Sequence, residues 1–254
     1  MFHEVQLEIN TNCNRRCPHC PNSTSSRPHG RMDEELFHKI IGELAQIRFG
    51  GCIAYHFYGE PLLDKRLPDL VRYTKQALPA ARAEVYTNGD LLSIDVFRDL
   101  CASGVDNFVV TQHDNLMLPH LQALQDGLSG PERTRLAIRF ASDRKMINRA
   151  GLVEKFGVPG EPLKVPCTWA LFMVVVTYTG NVVLCCNDYF ETEVLGNLRT
   201  QSLREVWCTP RYKALRKALA GGDRTVSELC SKCDFVPSAE DTARLTGARP
   251  GGAE

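Results

Sequence analysis

Near the N-terminus Val5, Leu7 and Ile9 alternate with Glu4, Gln6 and Glu8, a period of two that predicts a half-buried strand. A loop follows, and then the period changes. From Asp33, a predicted N-cap, to Ile47, the apolar residues Leu36, Ile40, Leu44 and Ile47 recur at helical spacing. Further strands are predicted in "CIAYHFYG" (52–59), "AEVYTNG" (83–89), "NFVVTQ" (107–112) and "TRLAIRF" (134–140). They alternate with helices over 67–78, over 94–103 up to Gly104, and over 116–128. Strands alternating with helices in this way imply right-handed crossovers and a parallel sheet. The fold class is therefore α/β, a partial (β/α) TIM-type barrel, in which chemistry gathers at the carboxyl ends of strands. Those ends carry Cys13, Tyr58 to Pro61, Asn88 to Asp90, and Gln112 with His113.

The pattern breaks near residue 141. "ASDRKMINRAGLVEKFGVPGEPLKVP" has mixed charge, is rich in Pro and Gly and has no clear period, so it reads as a long connection of the kind that often serves function. "ALFMVVVTYTGNVVLCC" then predicts a β-hairpin turning at Thr179, Gly180 and Asn181. Helical segments follow near Leu203 and over 212–219. The expected organisation is a barrel over 1–145, a linker and small C-terminal β-hairpin/α domain over 146–237, and a frayed polar tail over 238–254.

Composition narrows the function. The chain has 254 residues, 43% hydrophobic and 24% charged, enough for a substantial core, and a formal net charge of zero, which gives no basic footprint for nucleic acid. The longest apolar run, Ala170 to Val176, is far too short to span a bilayer. "MFHEVQLEIN" lacks the apolar core of a signal peptide. Eleven cysteines in such a chain point to the cytoplasm, reduced thiols, and metal ligation or catalysis rather than disulfides.

Three of those thiols, Cys13, Cys17 and Cys20 in "CNRRCPHC", sit in one short loop and can face one point. A [4Fe–4S] cube has four irons, each wanting one outside ligand, so three thiolates would leave one iron open. A zinc loop completed by His19 or a distant residue, or reduced thiols without a role, would account for the same spacing.

The Cys-x3-Cys-x2-Cys motif after a first strand resembles that of radical S-adenosylmethionine (SAM) enzymes. "YGEP" (58–61), "YTNGD" (86–90) and "VTQH" (110–113) also sit where that family places SAM-contacting residues. The resemblance implies that Cys13, Cys17 and Cys20 hold a [4Fe–4S] cluster. It also implies that His19, Tyr58, Gly59, Glu60, Pro61, Asn88, Gln112 and His113 surround SAM, with Glu60 facing its ammonium group. His19 departs from the family's habit of an aromatic before the third cysteine, though its flat ring can serve similarly. Four thiols at Cys167, Cys185, Cys230 and Cys233 would by themselves equally suit zinc; they resemble the ligands of the C-terminal twitch domain, a shortened relative of the SPASM domain, and that resemblance implies a second [4Fe–4S] cluster.

Within the family the chain is similar to dehydrogenases that oxidise a secondary alcohol of an aminocyclitol or amino sugar in aminoglycoside-type antibiotic biosynthesis. That likeness implies an external one-electron reductant such as flavodoxin or ferredoxin. It also implies a substrate-side role for Arg149, with Tyr58, Cys186 and Asp188 beside the reacting centre. Cys186 stands where such enzymes carry a bulkier apolar residue. As a hydrogen donor, it would instead make the chain an epimerase. The same motifs would also serve a peptide-modifying enzyme, and the cysteines alone a non-catalytic metal-binding module.

Overall fold

The computed structural model describes residues 2–143 and 146–239. In chain order the elements are β1 (Glu4–Leu7), α1 (Pro21–Thr24), α2 (Glu34–Gln46), β2 (Cys52–Ala54), α3 (Leu67–Ala77), β3 (Arg82–Thr87), α4 (Ile94–Ser103), β4 (Asn107–Gln112), α5 (Pro119–Gly127), α6 (Gly130–Arg133), β5 (Leu136–Phe140), α7 (Trp169–Phe172), β6 (Met173–Val176), β7 (Asn181–Val183), β8 (Val194–Asn197), α8 (Leu203–Cys208), α9 (Pro210–Ala220) and α10 (Glu228–Ser231).

The helices form for local reasons that are visible in the chain. Asp33 caps α2, its carboxylate accepting from the Leu36 amide, and Leu36, Phe37, Ile40, Ile41 and Leu44 are its buried stripe. Ser93 caps α4 through the Val96 amide, and Gly104 ends it with φ +110°, a left-handed cap open chiefly to glycine. No helix among the described residues is long and apolar enough to cross a membrane.

All strands join one eight-stranded sheet in the order β5-β4-β3-β2-β1-β6-β7-β8. Strands β1 to β5 pair in parallel, as crossover helices require. The C-terminal hairpin is not a separate layer. Its first strand, β6, pairs in parallel with β1, Val5 opposite Val174, and only β6-β7 and β7-β8 are antiparallel. The hairpin therefore extends the sheet on the side of β1 opposite β2.

Strand β1 is not half-buried but fully buried. Covered on both sides, it hides its polar face as well, and Glu4, Gln6 and Glu8 are all at most 5% exposed. The second predicted strand shrinks to three residues: Tyr55 keeps one bond to the Glu84 carbonyl at 3.4 Å, and by Gly59 the chain lies against the backbone of Asn10. The helix expected from Leu116 begins at Pro119, and the apolar start of the hairpin, Trp169–Phe172, is a helical turn. The tail expected over 238–254 lies outside the described residues beyond residue 239.

Candidate functional site

Cys13, Cys17 and Cys20, all half-buried, occupy the loop between β1 and α1. Asn10 fastens its start: Nδ2 donates to the Glu60 carbonyl at 3.1 Å, and Oδ1 accepts from the Asn12 amide at 2.9 Å. Gly59 lies directly on that backbone, where a Cβ would stand 2.2 Å from the Asn10 carbonyl oxygen. The other side is latched by Arg15, whose guanidinium grips Asp90 through Nε at 2.7 Å and Nη2 at 2.5 Å, while Asn14 donates to the same carboxylate at 2.8 Å. Such a two-pronged grip fixes orientation as well as distance.

The predicted SAM-side residues converge on this loop. Asn88 donates from Nδ2 to Asn14 at 2.9 Å and lies 4.0 Å from the Cys13 sulfur. His19 Nε2 and His113 Nδ1 are 3.0 Å apart, tying the loop to the end of β4. Gln112 is buried and donates to the Asn88 carbonyl at 2.9 Å. Glu60 accepts from Thr87 Oγ1 at 2.7 Å, the Asn88 amide at 2.9 Å and the Leu62 amide at 3.1 Å. A carboxylate offers about four acceptor positions, so one is left for a ligand cation. Burial raises the pKa of Glu60. Pro61 opens the short turn that follows.

Burial pushes Cys17 up to about 11, helped by Cys20 and Cys13, and lowers His113 to about 4, helped by His19. The Cys17 thiol thus holds a proton that a bound cation would displace, while the His113 ring is already neutral. Cys17, His19 and His113 place ligand atoms within 4.8 Å of one another, so this loop's geometry alone would also admit zinc.

The second thiol set is closed. Cys167, Cys185, Cys230 and Cys233 are each at most 8% exposed and line one small cavity with Trp169 and Phe235. Burial holds Cys185 far above the ordinary thiol range and pushes Cys230 up to about 12, so four thiolates could coexist there only around positive charge. Among the described residues, the single group of three or more ligand atoms within 4.8 Å is the histidine-containing one. Four buried thiols around one cavity are a donor set that fits zinc or an iron–sulfur cluster. Amides already point at it: Asn187 N reaches Cys185 Sγ at 3.5 Å, Asn187 Nδ2 reaches Cys233 Sγ at 3.5 Å and Phe235 N reaches Cys233 Sγ at 3.4 Å.

An aromatic wall separates the two sets. Phe57, Tyr58 and Tyr189 form one buried group with Met173, Val175 and Val183, and both Cys20 and Cys186 pack on it. Tyr58 donates its hydroxyl to the Cys186 carbonyl at 2.9 Å, and the Arg149 guanidinium carbon lies 5.8 Å from its ring centre. Burial pushes the Cys186 thiol up to about 12. Asp188, expected beside the reacting centre, is held by the loop that follows it. Its fully buried carboxylate is occupied by the Thr192 amide and hydroxyl, both at 2.7 Å, and the Glu193 amide at 2.8 Å. It shapes the loop before β8. Asn10, Arg15, Asn148 and Asn187 carry the site's geometry, yet no sequence pattern marks them. Asp90, the partner of Arg15, is the exception, since it closes the "YTNGD" run at a strand end.

Comparison with known proteins supports the same division. Residues 7–162 match the radical SAM superfamily, and residues 167–234 match an iron–sulfur cluster-binding domain, SPASM. The chain is 34% identical over 237 residues to the S-adenosyl-L-methionine-dependent 2-deoxy-scyllo-inosamine dehydrogenase of Niallia circulans, covering 93% of this chain and 94% of that one. The crystal structure of BtrN in complex with AdoMet and 2-DOIA superposes with a TM-score of 0.87 at 34% identity, over 93% of this chain and 94% of the other. BtrN in an open conformation gives 0.75 at 31% identity, over 95% and 97%.

Proposed function

The chain belongs to the radical SAM superfamily, and from that premise we propose that it oxidises a secondary alcohol of an aminocyclitol or amino sugar to a ketone. The observation that carries the proposal is the arrangement of Arg149, Tyr58 and Cys186 against one aromatic wall between an open three-thiol loop and a closed four-thiol cavity. The 34% identity along 93% of the chain to a 2-deoxy-scyllo-inosamine dehydrogenase favours this substrate class. In this reading Cys13, Cys17 and Cys20 hold one [4Fe–4S] cluster, and Cys167, Cys185, Cys230 and Cys233 hold another. Bound SAM and the two clusters would supply a 5′-deoxyadenosyl radical and a one-electron acceptor.

The chain's own residues then have defined tasks. Glu60, with one acceptor position left, faces the SAM ammonium. Gly59 lets the backbone approach, and Asn88, Gln112, His19 and His113 surround the rest of SAM. Phe57, Tyr58 and Tyr189 keep water from the reacting carbon. Arg149 cannot serve as the base, because a guanidinium stays protonated. It instead stabilises negative charge on the substrate oxygen as the hydroxyl proton leaves. Tyr58 orients this pocket through its hydrogen bond to Cys186 rather than through a free hydroxyl. The division into 1–145 and 146–237, an external flavodoxin- or ferredoxin-type reductant, a place in aminoglycoside-type biosynthesis and a cytoplasmic setting belong to the same proposal.

The test is anaerobic reconstitution and assay with 2-deoxy-scyllo-inosamine and related aminocyclitols. About eight irons per chain, 5′-deoxyadenosine and a ketone are expected. About four irons, or bound zinc, would sink the two-cluster reading. Because Cys186 packs on the same wall as Tyr58, a second reading has it return hydrogen to the carbon. Solvent deuterium at an inverted carbon, without ketone, would favour that epimerase.

A further inference from the structure

Asn187 touches both halves of the proposed centre. Its Oδ1 accepts from Arg149 Nη1 at 3.3 Å, and its Nδ2 lies 3.5 Å from Cys233 Sγ. The side chain is buried, with the residue 1% exposed. Its orientation follows from its partners: a guanidinium only donates, so the amide oxygen must face Arg149 and the N–H₂ must face sulfur. The neighbouring backbone amide also points to Cys185 Sγ at 3.5 Å.

A second asparagine fastens the same arginine from behind. Asn148 is fully buried, and its Nδ2 donates to the carbonyls of Gly157 and Lys232, both at 2.8 Å. Its amide donates to Asp234 Oδ1 at 2.9 Å, and the Asp234 amide returns the contact at 3.4 Å. Lys232 and Asp234 flank Cys233. Arg149, Ala150 and Gly151 are consecutive residues with φ of +50°, +55° and +89°. Two non-glycine residues hold that left-handed conformation only where their surroundings over-determine it. The tie to the 230–234 loop does so here.

We propose that Asn187 is a positioning residue that couples Arg149 to the four-thiol site, holding the guanidinium through Oδ1 and raising the electron affinity of the cluster there through Nδ2. This rests on the reading of Cys167, Cys185, Cys230 and Cys233 as cluster ligands. Oxidation of the alcohol removes one hydrogen atom from carbon, one proton from oxygen and one electron. The hydrogen atom goes to the 5′-deoxyadenosyl radical, the proton to solvent and the electron to the four-thiol site. One amide thus contacts both the cation that steadies the oxygen and a ligand of the electron acceptor. A hydrogen bond to a ligating sulfur favours the reduced, more negative cluster and raises its potential.

The two contacts can be separated. Asn187→Asp keeps an acceptor toward Arg149 and removes the N–H toward Cys233; Asn187→Leu removes both. In the full chain carrying Cys13→Ala, Cys17→Ala and Cys20→Ala, only the four-thiol cluster would titrate in an EPR-monitored redox titration. Both variants should make electron acceptance about tenfold less favourable, ~59 mV for one electron. With all cysteines present, the KM for 2-deoxy-scyllo-inosamine should stay within about twofold for Asn187→Asp and rise about tenfold or more for Asn187→Leu. Should Asn187→Asp fail to load iron, Asn187→Ser, shorter and uncharged, is titrated in its place with the same expected direction. An unchanged midpoint on a fully loaded site overturns the coupling alone. A parent chain without about four irons in that site overturns the cluster reading and the coupling with it.

Discussion

The two thiol sites differ in the same ways at every level. The first comes from eight consecutive residues, is half-exposed and is held by polar latches, with Arg15 on Asp90 and Asn10 on Glu60. The second is gathered from three distant segments, is sealed by Trp169 and Phe235 and has amides aimed at its sulfurs. An exposed, latched loop suits a ligand that must enter and leave. A sealed ring suits electron transfer, because excluding water keeps the reorganisation of the surroundings small.

Exchanging one thiol in each region should break this comparison most strongly. Cys17→Ala is expected to remove about half the iron and to bring 5′-deoxyadenosine formation below detection. Cys185→Ala should also remove about half, yet leave 5′-deoxyadenosine formation running while ketone falls to background. The contrast is in the uncoupling, read as the ratio of the two products. Equal loss of both in both variants would mean the regions do not divide labour.

Much of the first region is legible in the sequence because its signals are local. Three cysteines within eight residues, a cap at Asp33 and a left-handed stop at Gly104 are each decided by neighbours in the chain. The second region is legible in its cysteines, its hairpin turn and its two longer helices, but not in where it docks. Nothing in "MVVVTYTGNVV" says that β6 will add beside β1, since strand pairing is a long-range outcome. The alternation of Glu4, Gln6 and Glu8 likewise predicts a water-facing side, yet all three are buried in the folded chain. Asn148 and Asn187 sit in irregular segments with no period, where an asparagine looks like any loop residue until its partners are known. The partners of Asp188 are equally hidden in the sequence: a carboxylate beside a cysteine pair suggests chemistry, and only the fold shows it accepting from Thr192 and Glu193, four and five residues ahead.

A gentler perturbation sharpens what holds the first region. Gly59→Ala would drive a methyl group to 2.2 Å from the Asn10 carbonyl, which is backbone and cannot swing away. The expected cost is about 1–3 kcal/mol of stability, seen as a lowered denaturation midpoint, together with a raised KM for SAM. Gly42→Ala, in α2 with nothing within 4 Å, is the control and should stabilise by up to about 1 kcal/mol. Similar behaviour of the two variants would show that the close approach at Gly59 is unimportant.

The smallest effect concerns the bond between the regions. Arg27, just past the first thiol loop, pairs with Glu8 directly after β1 and reaches Glu191 at 3.4 Å in the C-terminal part, while stacking over Phe57 and Tyr189. Burial raises the Glu8 pKa to about 7, against the pull of Arg27 and the Tyr178 amide. Its unfolded value is near 4.5, so between about 4.5 and 7 the native chain keeps a proton that the unfolded chain has released. Stability from this group is therefore complete below about pH 4.5, declines as pH rises through about 7, and is flat above. Glu8→Gln keeps an acceptor for Arg27 but cannot ionise. Relative to wild type it should be less stable near pH 5 and close to wild type, or more stable, at pH 8, with a flatter profile between. Denaturant midpoints at the two pH values decide this. A variant whose deficit grows with pH would mean that Arg27 outweighs burial and that Glu8 is held as a carboxylate, making the joint between the two regions an ion pair throughout the neutral range.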